Sequence, residues 1–296
     1  MSAHKKVREI LTPQSSTDVA VQKQYFLIDG ARMHYLRGGS GPPLVLVHGL
    51  MGHAFSWRFA MPVFAQRFTV YAVDMLGAGY SDHPAIDQSL RANAERLLRF
   101  VDEIAGSPCR LLGSSRGGGI AMRAAALAPE RVERIVLVSP VNPWSRHGRG
   151  IAPVLSHPWI APVFSRVAPR VKSFQRYLLR RLYGDPRRLR PGTLEGYRAP
   201  YAISGSFDQE MRILKTWNRD LDELRTLLPR IADIPALLLW GSRDAAVSPA
   251  SAEPLRRNFK RCRLIMMDGI GHIPYEEVPD EFNRIVYEFL LAPAPS

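Results

Sequence analysis

Leu44-Val45-Leu46-Val47 is an unbroken apolar run of strand length, the pattern of a strand covered on both faces. Short β-rich segments flank it at 25–28, 33–36 and 68–74, and the run itself extends to residue 48. Asp29-Gly30 and Gly38-Gly39 separate the first three, which predicts a hairpin at the start of a sheet. The period then changes. Leu90, Ala94, Leu97, Val101 and Ile104 recur every three or four residues and predict one face of a helix over 90–104. Strand-like segments at 109–112 and 132–138 enclose a helical stretch that begins near Gly118. This alternation predicts an α/β protein with a mostly parallel twisted sheet flanked by helices on both sides.

Between 140 and 232 the alternation stops, and a stretch rich in proline and arginine shows helical but no strand-like patterning. Strand patterns return at 236–240 and 263–267. A closing helix follows, with Phe282, Ile285, Val286 and Phe289 on one face and Pro279 in its first turn. A helical block between two strands of one sheet reads as a lid. The expected organisation is a flexible polar tail over 1–22, a core over 23–139 and 233–296, and a helical lid over 140–232.

Composition narrows the class. With 296 residues, 46% hydrophobic and 23% charged, the chain can bury a large core and reads as an ordinary globular protein. No apolar run reaches the length of a membrane helix, and the first residues lack the apolar block of a secretory signal. Cys109 and Cys262 begin separate strands, as two reduced core thiols would, so a cytoplasmic location is expected. The net charge of +13 is concentrated in the middle: between 140 and 232 there are 17 Lys and Arg against 7 Asp and Glu. An arginine-rich solvated surface accounts for such an excess, and weak contact of the basic lid with an anionic membrane is the alternative. Val171, Phe174, Leu178 and Leu182, beside Lys172, Arg176, Arg180 and Arg181, form the basic amphipathic stretch that such contact would use. Nucleic acid is not an expected partner, because no recognised binding motif accompanies the charge.

The chemistry is carried by Gly113-Ser114-Ser115-Arg116-Gly117, which joins a strand to a helix. This is the pattern of a nucleophile elbow, in which two glycines let the central serine sit in a strained, exposed turn. Only Ser115 has glycine two positions away on both sides, so it is preferred over Ser114. A serine hydroxyl needs a base to take its proton, and the base needs an acid to hold its tautomer. His272 follows the strand at 263–267, and Asp244 follows the strand at 236–240. Both fall at the strand ends where open α/β sheets place their sites, and the order Ser, Asp, His is that of the hydrolases. Asp268 is the less favoured acid, expected to cap its loop. The end of the strand at 132–138 offers Ser139-Pro140-Val141-Asn142, without a carboxylate.

Three further motifs strengthen a family likeness: Val47-His48-Gly49-Leu50-Met51-Gly52, the run from Asp74 to Asp82, and Gly271-His272-Ile273-Pro274-Tyr275-Glu276-Glu277. Together with the elbow they resemble an α/β-hydrolase fold of the lid-bearing, epoxide-hydrolase-like branch. The resemblance implies an oxyanion hole made by the backbone N–H groups of Leu50 and Arg116. One such donor is worth about 3–4 kcal/mol to the transition state. It makes His48 and Gly49 the supporting loop and Asp74 the structural anchor of the glycine turn after it. Arg116 departs from the apolar residue usual in the family, and its side chain is expected to point into the lid or pair with a lid carboxylate.

Within that branch, epoxide hydrolases and haloalkane dehalogenases attack with aspartate, so Ser115 disfavours both activities. A serine implies acyl transfer on a carboxylic ester, lactone or thioester, with a small, largely apolar substrate. Carbon–carbon bond hydrolases of the meta-cleavage type are the alternative, although they usually carry tryptophan where Ile273 stands. A slow or non-catalytic ligand receptor on the same fold is another. Trp144, Trp159, Phe164, Phe174, Tyr177, Tyr183, Tyr201, Phe207 and Trp217 are the candidate pocket lining. No cofactor is expected. A metal is not expected either, because His34, His53, His83, His147 and His157 lack paired ligand spacing.

Overall fold

The computed structural model describes residues 20–146, 148–203 and 205–293. His147 and residues 1–19 of the expected tail lie outside them. Strands β1 (Gln22–Ile28) and β2 (Ala31–Gly38) are antiparallel and joined by Asp29-Gly30. Both turn residues have positive φ, 52° and 73°, the backbone that a two-residue hairpin demands. Gln22, assigned by sequence to the tail, already pairs with Arg37.

The remaining strands are β3 (Pro43–Val47), β4 (Thr69–Val73), β5 (Cys109–Ser114), β6 (Val132–Val138), β7 (Ala236–Gly241) and β8 (Cys262–Met267). They form one sheet in the order β1-β2-β4-β3-β5-β6-β7-β8, parallel from β4 to β8. The hairpin pattern stops at β2. The next strand in sequence, β3, lies beyond β4 and pairs in parallel with β4 and β5, covered on both faces as its apolar run predicts.

Alternate residues of β3 feed two cores. Leu44 and Leu46 join Phe64 of α1 (Met61–Phe64) on one face. Val45 and Val47 join Leu97 of α2 (Leu90–Phe100) and Ile120 of α3 (Arg116–Leu127) on the other. The predicted helix over 90–104 runs as α2 and then as a wider π turn over Val101–Ala105.

The segment between β6 and β7 is a helical insertion: α4 (Ile151–Leu155), α5 (Ala161–Val167), α6 (Lys172–Arg181), α7 (Thr193–Arg198) and the long α8 (Ser206–Leu227). Helix α8 works at both levels. Its Phe207, Met211 and Leu214 make a small separate core with Ala152, Phe164 and Ala168, whereas Leu221 and Leu224 join the main core. Asp220 of α8 also accepts the Leu90 N–H at 3.0 Å, which fixes the insertion to the start of α2. The chain closes with α9 (Ala252–Arg256), α10 (Pro274–Glu277) and α11 (Pro279–Leu291), the last packing Phe282, Ile285 and Val286 onto the Leu44 face. Among the described residues no helix is long and apolar enough to cross a membrane.

Candidate active site

Ser115 occupies the sharp turn between β5 and α3 with φ 52°. A residue with a side chain holds such a conformation at a cost of about 1–3 kcal/mol, so the surroundings must impose it. They do so from both sides. The Ser115 N–H donates to the Val138 carbonyl at 2.9 Å, and its carbonyl accepts from Gly118 and Val141 at 3.0 Å. The approach is too close for side chains at the flanking glycines. A Cβ on Gly113 would press on the Gly117 carbonyl, and one on Gly117 on the carbonyls of Val47 and His48.

His272 Nδ1 lies 2.8 Å from Asp244 Oδ2. The other Asp244 oxygen accepts the N–H groups of Ala246 and Val247 at 2.8 and 2.9 Å. A carboxylate so occupied calls for the proton on Nδ1, which leaves Nε2 with its free lone pair. Burial works against the Asp244 charge, but His272 and the Val247 amide outweigh it and hold the carboxyl below its ordinary range. Ser115 and His272 line the same cavity. The Ser115 hydroxyl makes no hydrogen bond among the described residues, so the structure brings serine and histidine to one wall without bonding them. Asp268 stays exposed on the surface, accepting the Ser242 hydroxyl at 3.1 Å, and touches neither.

The loop after β3 rests directly on Ser115: a Cβ on Gly49 would lie 3.0 Å from that of Ser115. Neither the Leu50 nor the Arg116 amide has a hydrogen-bond acceptor among the described residues, and Leu50 lines the cavity beside Ser115. His48 supports this loop from behind. Its Nε2 accepts the Met75 N–H at 3.2 Å, so Nδ1 carries the proton it donates to the Gly49 carbonyl at 2.8 Å. Burial lowers the His48 pKa and keeps the ring neutral. Asp74 is fully buried and accepts from His34 and from the Tyr80 amide, both at 2.8 Å, and from the Ala54 amide. Burial alone would raise its pKa, but the His34 contact wins and brings it to about 2.

Two carboxylates of the histidine loop, Glu276 and Glu277, have partners that the sequence does not announce. Glu277 accepts the Gly271 N–H at 2.8 Å and those of Gly184 and Asp185 at 2.9 Å, while the His272 N–H donates to the Leu182 carbonyl at 2.7 Å. Glu276 pairs with buried Arg58 and accepts the Tyr197 hydroxyl at 2.8 Å. The histidine loop is thereby fastened to the insertion and to the segment after the glycine loop. Nothing in the local spacing points either carboxylate at partners so far away in sequence.

The cavity has a volume of about 430 Å³ and is lined mainly by apolar groups, among them Val141, Leu178, Leu182, Leu194 and Ile273. Of the nine aromatics proposed from sequence, Tyr201 and Trp217 reach it, joined by Tyr197 and Tyr275. Phe164, Phe174 and Phe207 instead pack together inside the insertion, Tyr183 and Trp144 pack on the two main cores, and Trp159 and Tyr177 face solvent. The insertion has three kinds of surface, and helical periodicity separates only inside from outside.

Arg116 is buried, with its guanidinium donating to the Gln88 carbonyl. Burial brings its pKa down to about 10, against the pull of Glu210 and Asp220 on α8. The expected pairing with a lid carboxylate is thus a field effect rather than a contact. No sequence pattern marks Glu210. Its Oε2 is buried without a hydrogen-bond partner among the described residues, and burial raises its pKa to about 7 although Arg116 and the Met51 amide oppose this.

Glu210→Gln is expected to flatten the pH dependence of stability. The folded carboxyl keeps its proton up to about 7, but the unfolded chain's only up to its ordinary 4.5. The folded state is therefore favoured fully below 4.5 and progressively less as pH rises through 7, a loss of about 3 kcal/mol by pH 8. Denaturant unfolding at pH 5 and pH 8 should show the wild type losing more than the variant by about 2.5 kcal/mol, since part of the loss has already occurred at pH 5. Equal losses would contradict the assignment.

A strained serine after a central parallel strand, with histidine and aspartate at the ends of two later ones, defines the class. A model of the alpha/beta hydrolase fold matches residues 42–279, and the chain belongs to that family. It is 29% identical over 287 residues to an uncharacterized protein of Mycobacterium tuberculosis, covering 92% of this chain and 82% of the relative. It is 27% identical over 265 residues to the pimeloyl acyl-carrier-protein methyl ester esterase of Nitrosomonas europaea, covering 85% of this chain and 97% of that one. Among solved structures, an epoxide hydrolase, CorEH without ligand, superposes with a TM-score of 0.80 at 22% identity, covering 92% and 99% of the two chains.

Proposed function

We propose that the protein is a serine hydrolase that cleaves carboxylic esters through an acyl-enzyme. The observation that carries this reading is the meeting of strained Ser115 and Asp244-bound His272 at one apolar cavity. Ser115 Oγ attacks the ester carbonyl while His272 Nε2 takes its proton, and Asp244 stabilises the imidazolium. The Leu50 and Arg116 amides receive the oxyanion, and being backbone groups of a packed loop and a helix start they need no rearrangement to do so. His272 then protonates the departing alkoxide. Water, deprotonated by the same nitrogen, releases the acid and restores the serine.

The apolar cavity suits a medium-length acyl chain, and the esterase among the relatives supports an oxygen ester as the bond cleaved. A p-nitrophenyl ester series from acetate to dodecanoate tests the reading. Turnover is expected throughout, with kcat/KM rising from acetate to the medium chains and falling once the chain outgrows the cavity. Absence of turnover across the series would remove it.

A further inference from the structure

From Arg134 to Gly184 the chain carries nine Lys and Arg and no Asp or Glu. The middle of this segment is α4, α5 and their connection. Their inner side packs on α8 through Ala152, Phe164 and Ala168, so the opposite side faces outward. It is apolar: Trp159 is 83% exposed, Val163 60%, Ile151 and Val167 52%, Val154 49% and Ile160 38%. Isolated exposed apolar residues are ordinary, but six within seventeen positions on one face of an insertion are not.

The charges lie beside this ridge. Arg166 and Arg170 are exposed on and just after α5, Arg176 and Arg180 on α6, and Arg181 at the end of α6, where it is exposed and also borders the cavity. None of these five forms a salt bridge among the described residues; Arg166, for example, donates to the Pro162 carbonyl at 3.2 Å. The stripe expected from sequence is placed differently. Phe174, Leu178 and Leu182 turn inward, where Leu178 and Leu182 line the cavity; of the stripe only Val171 stays exposed, and most of the exposed apolar groups belong to the preceding helices and their connection. Helix α6 thus turns Leu178 and Leu182 to the cavity and Arg176 and Arg180 to solvent, with Arg181 bordering both.

We propose that the outer face of α4–α6 docks on an anionic lipid surface, with Trp159 and Val163 entering the headgroup layer and the arginines meeting lipid phosphates. An indole and β-branched apolar side chains lose little and gain much in that layer, while long cationic side chains reach headgroups from beside it. A protein partner would present charges of both signs and hydrogen-bonding groups. A segment of fifty-one residues without a carboxylate matches a surface of uniform negative charge instead. The proposal goes beyond ester hydrolysis and stands without it, because its readout is binding.

The test is sedimentation of the full chain with vesicles of phosphatidylcholine alone or mixed with phosphatidylglycerol. Wild type is expected to bind the mixed vesicles at low salt, to bind neutral vesicles about tenfold or more weakly, and to be released by salt. Trp159→Ser with Val163→Ser, and separately Arg166→Glu with Arg170→Glu, should each weaken binding about tenfold or more. All four residues are exposed, so both variants should keep the wild-type fold by circular dichroism and the wild-type rate on a soluble ester. No binding to mixed vesicles at low salt would overturn the proposal, as would variants that bind like wild type. So would light scattering that finds a dimer which the Trp159/Val163 variant dissolves, because the face would then belong to a second copy.

Discussion

Ser115→Ala is expected to lower ester turnover by about 10⁴-fold to 10⁶-fold and to leave stability nearly unchanged. The two halves of this expectation come from different observations. In the proposed mechanism, loss of Oγ removes the atom that forms the acyl bond, and the oxyanion donors that remain would provide only residual catalysis. Stability is spared because the hydroxyl has no hydrogen-bond partner among the described residues. The alanine Cβ also inherits the same φ of 52° and the same strain. Steady-state kinetics beside a thermal unfolding curve checks both halves. A variant that loses its fold together with its activity would show that Ser115 is structural, and one that keeps its activity would remove it from the chemistry.

Arg58→Ala is expected to lower stability by about 3–5 kcal/mol, the largest effect outside the proposed triad. The Arg58 guanidinium is buried over the rings of Phe55 and Phe59, bonds Glu276 with both terminal nitrogens and reaches Thr193 Oγ1 at 3.1 Å. Its removal leaves the 1% exposed Glu276 carboxylate with Tyr197 and only the weaker pull of Arg190 as counter-charge. Burial already raises the Glu276 pKa against Arg58's pull, so the lone carboxyl would take up a proton at still higher pH. Denaturant unfolding should show the loss growing with pH, as expected for a group whose folded pKa is raised. The double variant Arg58→Met with Glu276→Leu should recover most of the loss, because a pair of apolar side chains carries no uncompensated charge. If Arg58→Ala unfolds like wild type, the pair does not fasten the histidine loop.

The parts of the site that were legible from sequence are those whose chemistry is local. Gly113 and Gly117 mark a turn too tight for side chains, and the apolar runs before Ser115, Asp244 and His272 mark the strand ends that bear them. Sheet order was less legible. The turn glycines suggest that β3 continues the hairpin, but its partners are β4 and β5, which lie later in the chain and leave no mark on the local pattern. Least legible were contacts between the insertion and the core. Glu277 reaches the amides of Gly184 and Asp185, Arg58 reaches Glu276, and Glu210 is enclosed beside the glycine loop by the docking of α8. Each depends on two distant segments meeting, for which neither segment carries a local signal. Trp159 shows the same limit in reverse: a tryptophan in a lid pattern suggests a pocket wall, and only the packing of α4 and α5 on α8 reveals that it points outward.

The formation of an acyl-enzyme on Ser115 is tested most directly by intact-protein and peptide mass spectrometry after exposure to a fluorophosphonate. The expected result is a single adduct per chain, located on the peptide containing Ser115, absent from Ser115→Ala and formed far more slowly in His272→Ala. A wild-type chain that hydrolyses esters but takes up no adduct, or takes it up on another residue, would contradict the Ser115 mechanism.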